Sequence, residues 1–449
     1  MMSLRGFACS AVAGITLLIS TAAIAQDQVW LQDRRYTEGI GYRTGDLELH
    51  PGLAGEFGYD SNYFLRAETE RPVQALRFRL TPSLTISTLS PQRREVTSPG
   101  EPPKVSFRAK IAATYNELIA TDSADSDLLS EQRHVSGLAS AQLRILPERP
   151  WGGDVYGSLV RMVQPSQNPD RNYDRLETRF GGGVVWQPGG GIFDWRVGYE
   201  LGLTAFNQRT FEVYDNAEHQ LNTRGRWRFL PRTALLYDAS LGFIRYADTS
   251  LQKSSDPVRA RLGVNGLVSR SFGLLAMAGW GSSFYEGANA QQFDGPIGQA
   301  ELKWFLAPNP SEDPASMQSL STLSLGYSRD FANSYLGDHY TRDRGYLTLT
   351  HFIGRRALLV ADAGASALRY PTLFFPEGGV RSAPFTNFRL DATAFGEYRF
   401  SDSFALNATV RYSSEISDTQ LIVQPPPPVI VDDLAFWRLE TFLGVRWFM

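Results

Sequence analysis

Apolar and polar side chains alternate with a period of two from Leu47 to the end of the sequence, the mark of strands whose two faces meet different surroundings. Leu76, Phe78, Leu80, Leu84 and Ile86 interleave with Arg77, Arg79, Thr81, Ser83, Thr85 and Ser87. Phe193, Trp195, Val197, Tyr199, Leu201 and Leu203 alternate with Asp194, Arg196 and Glu200, and Leu221, Gly225, Trp227 and Phe229 with Arg224, Arg226 and Arg228. A helix cannot carry this pattern, because a period of two spreads polar residues around every side of its turn. The alternation predicts about 18 strands (range 16–20), beginning near residues 47, 76, 105, 135, 155, 174, 193, 219, 234, 257, 272, 296, 320, 342, 356, 386, 403 and 436. The strands near 155, 272 and 342 have ambiguous faces.

The connections fall into two kinds. Those after even-numbered strands are compact: residues 187–191 read Gln-Pro-Gly-Gly-Gly, 230–232 Leu-Pro-Arg and 269–271 Ser-Arg-Ser, with tighter turns at 354–355 and 401–402. Those after odd-numbered strands are long, at 117–134, 207–218, 247–256, 370–385 and 415–435. Short turns at one end and long loops at the other define an all-β, transmembrane, antiparallel up-and-down β-barrel. Stretches 90–104 and 307–319 break the rule as long even-numbered connections. Trp151, Trp186, Trp195, Trp227, Trp304 and Trp447 all fall at the turn end of their strands, where a periplasmic aromatic girdle belongs. Tyr59, Tyr115 and Tyr412 face outward at the opposite end. The last strand carries Leu439, Thr441, Leu443, Val445, Trp447 and Met449 as an outward stripe, similar to the signal that barrel assembly machinery reads.

Composition narrows the setting. Net charge is −3, with 12% aromatics and one cysteine, which argues against a disulfide scaffold and a basic nucleic-acid binder. Residues 1–25 read as a secretory signal peptide: Arg5 supplies the positive charge, Ala11–Ala23 the apolar stretch, and Ala23-Ile24-Ala25 the cleavage site. Its removal takes Cys9 with it and leaves a mature chain without thiol catalysis or Cys-ligated zinc. Residues 26–46 form either a periplasmic tail or a small lumen insert, and 47–449 the barrel of a Gram-negative outer membrane.

Lipid on the outside leaves the polar face of each strand for the lumen. The inner wall then carries Arg77, Arg79, Arg108, Lys110, Arg196, Arg224, Arg226, Arg228, Arg259, Arg261, Arg389, Arg399, Arg411 and Arg438. Arg144, Arg161, Arg175, Arg179, Lys303 and Arg446 are assigned to the same face. Fewer acids join them, among them Glu56, Asp60, Asp194, Glu200, Asp238, Asp362, Asp391, Glu397 and Glu440, so the wall is net positive. A cationic wall concentrates anions, and Arg forks suit carboxylates and sugar hydroxyls. Charge ladders that merely stiffen a wide barrel are the plainer reading of the same residues. Loops 370–385 and 415–435 are candidates for folding inward.

Enzymatic readings find little purchase. His134 and Ser136 superficially resemble the His-x-Ser pair of outer-membrane phospholipase A, but the parity of Val135, Ala139, Ala141, Leu143 and Ile145 turns both inward. Asp60 and His339 are loose counterparts of an omptin-like protease pair. No phosphate loop, HExxH or metal-ligand spacing occurs, so neither cofactor, metal nor catalytic residue is expected.

The segment HPGLAGEFGYDSNYF, from His50 to Phe64, resembles the opening of the β-barrel porin 2 type outer-membrane family through Pro51, Tyr59, Asp60 and Asn62. That resemblance implies a barrel of an exopolysaccharide export system, served by a separate periplasmic polysaccharide export protein. The expectation is therefore an outer-membrane channel passing exopolysaccharide. A general or anion-preferring porin and a structural or adhesive barrel stay open as alternatives. The implied partners are outer-membrane lipid, the assembly machinery and a polysaccharide or small anionic solute, with no nucleic acid.

Overall fold

The computed structural model describes residues 28–32, 39, 41–89, 103–165, 173–189, 191–249, 252–287, 289–306, 321–354, 356–374, 380–422 and 431–449. The signal-peptide residues 1–25 and the long connections at 90–102 and 307–320 lie outside them. Alternating side chains cannot bury both faces of an open sheet edge, and here the sheet closes on itself. Its strands are β1 (Leu47–Asp60), β2 (Ala75–Thr88), β3 (Val105–Ala120), β4 (His134–Ile145), β5 (Trp151–Gln164) and β6 (Tyr173–Trp186). There follow β7 (Phe193–Phe206), β8 (Asn216–Leu230), β9 (Thr233–Tyr246), β10 (Ser255–Leu267), β11 (Phe272–Tyr285) and β12 (Phe293–Phe305). The last are β13 (Thr322–Asn333), β14 (His339–Ile353), β15 (Ala357–Tyr370), β16 (Phe385–Arg399), β17 (Phe404–Ile416) and β18 (Phe436–Phe448). All 18 pair antiparallel with their chain neighbours, and β18 closes on β1 from Gly52–Phe448 to Asp60–Glu440. Every expected strand is present, the largest offset being at β5, which starts at Trp151 rather than near 155.

Closure needs backbone to approach backbone. At Gly58 a Cβ would sit 2.2 Å from the Thr441 carbonyl oxygen, so only glycine permits this part of the β1–β18 seam. The chain end is held there too, Met449 N–H donating to the Pro51 carbonyl at 3.0 Å.

The outer face is a belt of exposed apolar side chains, including Phe57, Ile111, Val155, Phe180, Val184, Leu325 and Leu443, the last 71% exposed. No soluble protein tolerates so continuous a patch, whereas hydrocarbon does. Outward-facing charges gather at the loop end: Glu117, Asp174, Arg245, Asp256, Asp294, Arg329, Asp343 and Arg369. Arg161 belongs with them and not to the lumen. It shares the face of Leu159 and Leu176 and forks onto Asp174 at 3.2 and 2.8 Å, above the apolar belt where such a pair meets water. Leu262 stands mid-strand and 57% exposed, so Leu262→Arg is expected to cost about 2–4 kcal/mol of folding free energy near the bilayer midplane. Leu262→Phe should leave the urea midpoint in lipid unchanged, and equal midpoints for both variants would remove the lipid belt from this surface.

The six tryptophans expected at the turn end all point outward there, Trp151 stacked on Trp186 at 5.9 Å and Trp304 on Phe272 at 5.9 Å. Trp195 donates its indole N–H to Thr223 at 3.1 Å; Trp227 and Trp447 continue the ring.

Candidate solute pathway through the barrel

Register decides the chemistry of the lumen at the seam. The pairing of β1 with β18 sets Asp60 directly opposite Glu440, two like charges that destabilise unless countered. The counter-charges come from β2 and from β18 itself. Arg77 donates to Asp60 at 3.1 Å and to Glu440 at 2.6 Å, and Arg438 forks onto both oxygens of Asp60, the Nε contact at 2.9 Å. Arg79 lies 3.9 Å from Glu440 and 3.8 Å from the centre of the Phe442 ring. Asp60, Arg77, Arg79, Arg411, Arg438 and Glu440 are all buried. Tyr63, in the loop after β1, covers this cluster, and burial pushes its phenol up to about 12, so it stays neutral beside two guanidiniums. These residues form a packed ionic wall and not a passage.

Below it the lumen holds part of the N-terminal segment. Gln28 donates to Glu56 at 2.6 Å and to Thr81 at 3.0 Å, and the short helix α1 (Val29–Gln32) inserts Trp30 against Ala54 and Phe395. The Trp30 indole N–H reaches Glu56 at 3.2 Å, the Arg446 guanidinium stacks 4.3 Å above the ring, and Lys110 donates to the Leu31 carbonyl. Arg446 also binds Glu397, which Arg399 approaches at 3.2 Å. The wall from β15 through β18 to β3 is thereby covered from within. Trp30→Ala removes the anchor, and single-channel conductance is expected to rise; an unchanged value would make the segment irrelevant to flow.

The opposite wall is wetter. Cross-strand register lines up Arg196, Arg224, Asp238 and Arg261 across β7 to β10. Arg196 forks onto Asp154 at 2.9 and 2.9 Å and donates to Asn222 at 2.7 Å; Arg261 forks onto Asp238 at 2.9 and 2.7 Å. Arg226 pairs with Asp194 at 2.7 Å one row lower, Arg228 lies nearer the turn end, and Arg259 stands above. Arg224 is the exposed guanidinium of this row. Arg108 and Arg389 also face the lumen, on β3 and β16.

Two lumen cations escape the sequence pattern. Arg342 and Arg344 of β14 point inward, Arg344 bridging Asp362 at 2.9 Å and Asp391 at 2.6 Å. In the run Thr341-Arg342-Asp343-Arg344 both faces carry charge, because Asp343 sits above the lipid belt, and the alternation is erased. Asp154, Glu218, Asp330 and Glu415 are further inward acids that moderate the positive wall. Neither enzymatic pair is assembled. Ser136 accepts from Asn116 at 3.5 Å and His134 contacts the Gln132 carbonyl at 2.8 Å inside the barrel, while Asp60 lies in the seam and His339 stacks on Tyr285. Among the described residues no group of His, Cys, Asp and Glu could hold a metal ion.

A closed antiparallel cylinder, apolar outside and charged within, is a transmembrane β-barrel of the outer-membrane type. Neither a family model nor a curated protein matches the chain, so the resemblance carried by Pro51, Tyr59, Asp60 and Asn62 rests on those residues alone. Among solved structures it is similar to Pseudomonas aeruginosa OpdL, with 11% identity, 90% of this chain and 99% of that chain covered, and a TM-score of 0.44. The outer-membrane protein OpdK of the same organism gives 12%, 90%, 99% and 0.45. A bacterial polysaccharide outer membrane secretin gives 9%, 90%, 99% and 0.36. Values this low leave substrate and direction to the lumen's own residues.

Proposed function

We propose that the barrel is an anion-preferring channel for small solutes, without catalysis. The observation that carries this is the inward row on β7 to β10, where Arg224 stands exposed to the lumen between Arg196 and the Asp238–Arg261 pair. A guanidinium held in a wall of low dielectric attracts anions and repels cations passing within a few ångströms. The test is the reversal potential of the purified full-length protein in a planar bilayer under a potassium chloride gradient. Chloride preference is expected. Cation preference would overturn the reading, and an intact fold with no conductance would favour a structural or adhesive barrel.

Export of exopolysaccharide is the second reading, favoured by the His50–Phe64 segment. The uronate carboxylates of an acidic polymer would meet the same guanidiniums, and a separate periplasmic export protein would guide the chain. Deleting the gene should then abolish surface polymer, and unaltered polymer leaves the small-solute channel standing.

A further inference from the structure

We propose that Ser334–Asp338, the connection between β13 and β14, determines which solutes are small enough to pass. This rests on the channel reading. The connection is only five residues long, on the side where the other connections are long. The two strands leading to it stay paired to its base, at Asn333–His339, but β12 parts from β13 above Gly298–Arg329. Released from one neighbour, the hairpin tip leans over the lumen. Phe331 stacks on Phe293 with ring centres 4.1 Å apart, and the inner-wall Arg259 holds Asp330 at 3.1 Å and the Phe331 carbonyl at 2.7 Å. Gly281 makes room, since a Cβ there would lie 2.5 Å from the Phe331 ring.

From this base the connection reaches across the mouth. Tyr335 sets its ring edge-on to Tyr214 at 5.1 Å and to Phe206, at the end of β7, at 6.2 Å. Its carbonyl accepts from Gln252 at 3.3 Å. Asp338 takes Lys253 at 3.2 Å and the Gln291 backbone N–H at 2.7 Å, and Arg381 donates to the Leu336 carbonyl at 3.5 Å. Elements that are not neighbours around the wall can share these contacts only if the chain spans the opening. Tyr335 remains 44% exposed, so its ring borders open space. A strap tied down on several sides narrows the passage sterically, independently of the charge on the row below it.

Proteoliposome swelling with neutral sugars of increasing size tests this in the full-length protein. Tyr335→Ala and the double variant Lys253→Ala/Asp338→Ala are expected to raise the exclusion limit by at least one sugar unit, with chloride preference retained. Tyr335 is exposed and off the wall, so its truncation leaves the barrel folded, which circular dichroism and heat-modified mobility verify. An unchanged limit in both variants, while the wild type conducts, overturns the proposal and spares the channel reading. A folded wild type that passes neither ions nor sugars overturns both.

Discussion

Arg224→Glu turns the channel from anion preference toward cation preference, and adding Arg226→Glu and Arg228→Glu completes the inversion. The magnitude follows from Coulomb's law. A unit charge 4 Å from a passing ion is worth about 1 kcal/mol in water, so reversing its sign changes that contact by about 2 kcal/mol. That change has opposite signs for the two ions, and about 1.4 kcal/mol is a factor of ten, so one reversal at the exposed position should move the anion-to-cation permeability ratio by about 10²- to 10³-fold at low salt. The effect must shrink as salt rises, because the screening length falls from about 10 Å at 0.1 M to about 3 Å at 1 M. Arg226 pairs with Asp194 at 2.7 Å, so a glutamate there would add repulsion to lost attraction. Arg224→Gln should give an intermediate ratio. If reversal potentials stay where they were in all three variants, the row is scaffolding and the selectivity lies elsewhere.

Asp60→Ala unfolds the barrel more readily than any comparable loss on the wet wall. The substitution leaves Arg77, Arg79 and Arg438 around Glu440 alone, in a cluster where Asp60 itself is 0% exposed. Removing one partner from a buried ionic set typically costs about 3–5 kcal/mol, because the remaining charge cannot recover its water. Asp238→Ala breaks a fork of similar geometry, yet water in the lumen can rehydrate Arg261, and a cost of about 1 kcal/mol or less is expected. Urea midpoints in detergent micelles distinguish the two. Equal shifts would show that the seam is no drier than the rest of the wall.

Most of the cylinder was legible in the sequence because lipid and water impose opposite demands on alternate residues, and the demand repeats at every strand. Arg77, Arg224 and Arg438 could be placed inside by parity alone. The errors occur where that contrast fades. Arg161 and Asp343 stand above the lipid belt, where an outward charge costs little, so the polar side no longer identifies the lumen. Arg342 and Arg344 were hidden by the same loss of contrast.

The sequence by itself determined the strand count to within about two, the outward tryptophans and all but one of the inward guanidiniums it assigned, since each depends on a residue and its nearest neighbours along the chain. Only the tertiary structure decided which charges meet. The opposition of Asp60 and Glu440, the seat of Trp30 beside Glu56 and the crossing of Tyr335 to Tyr214 join residues far apart in sequence, through closure of the sheet and the docking of a segment and a loop inside it. Alternation says which way a side chain points, but the register of closure and the path of a loop are set by packing in three dimensions, to which a period of two is blind.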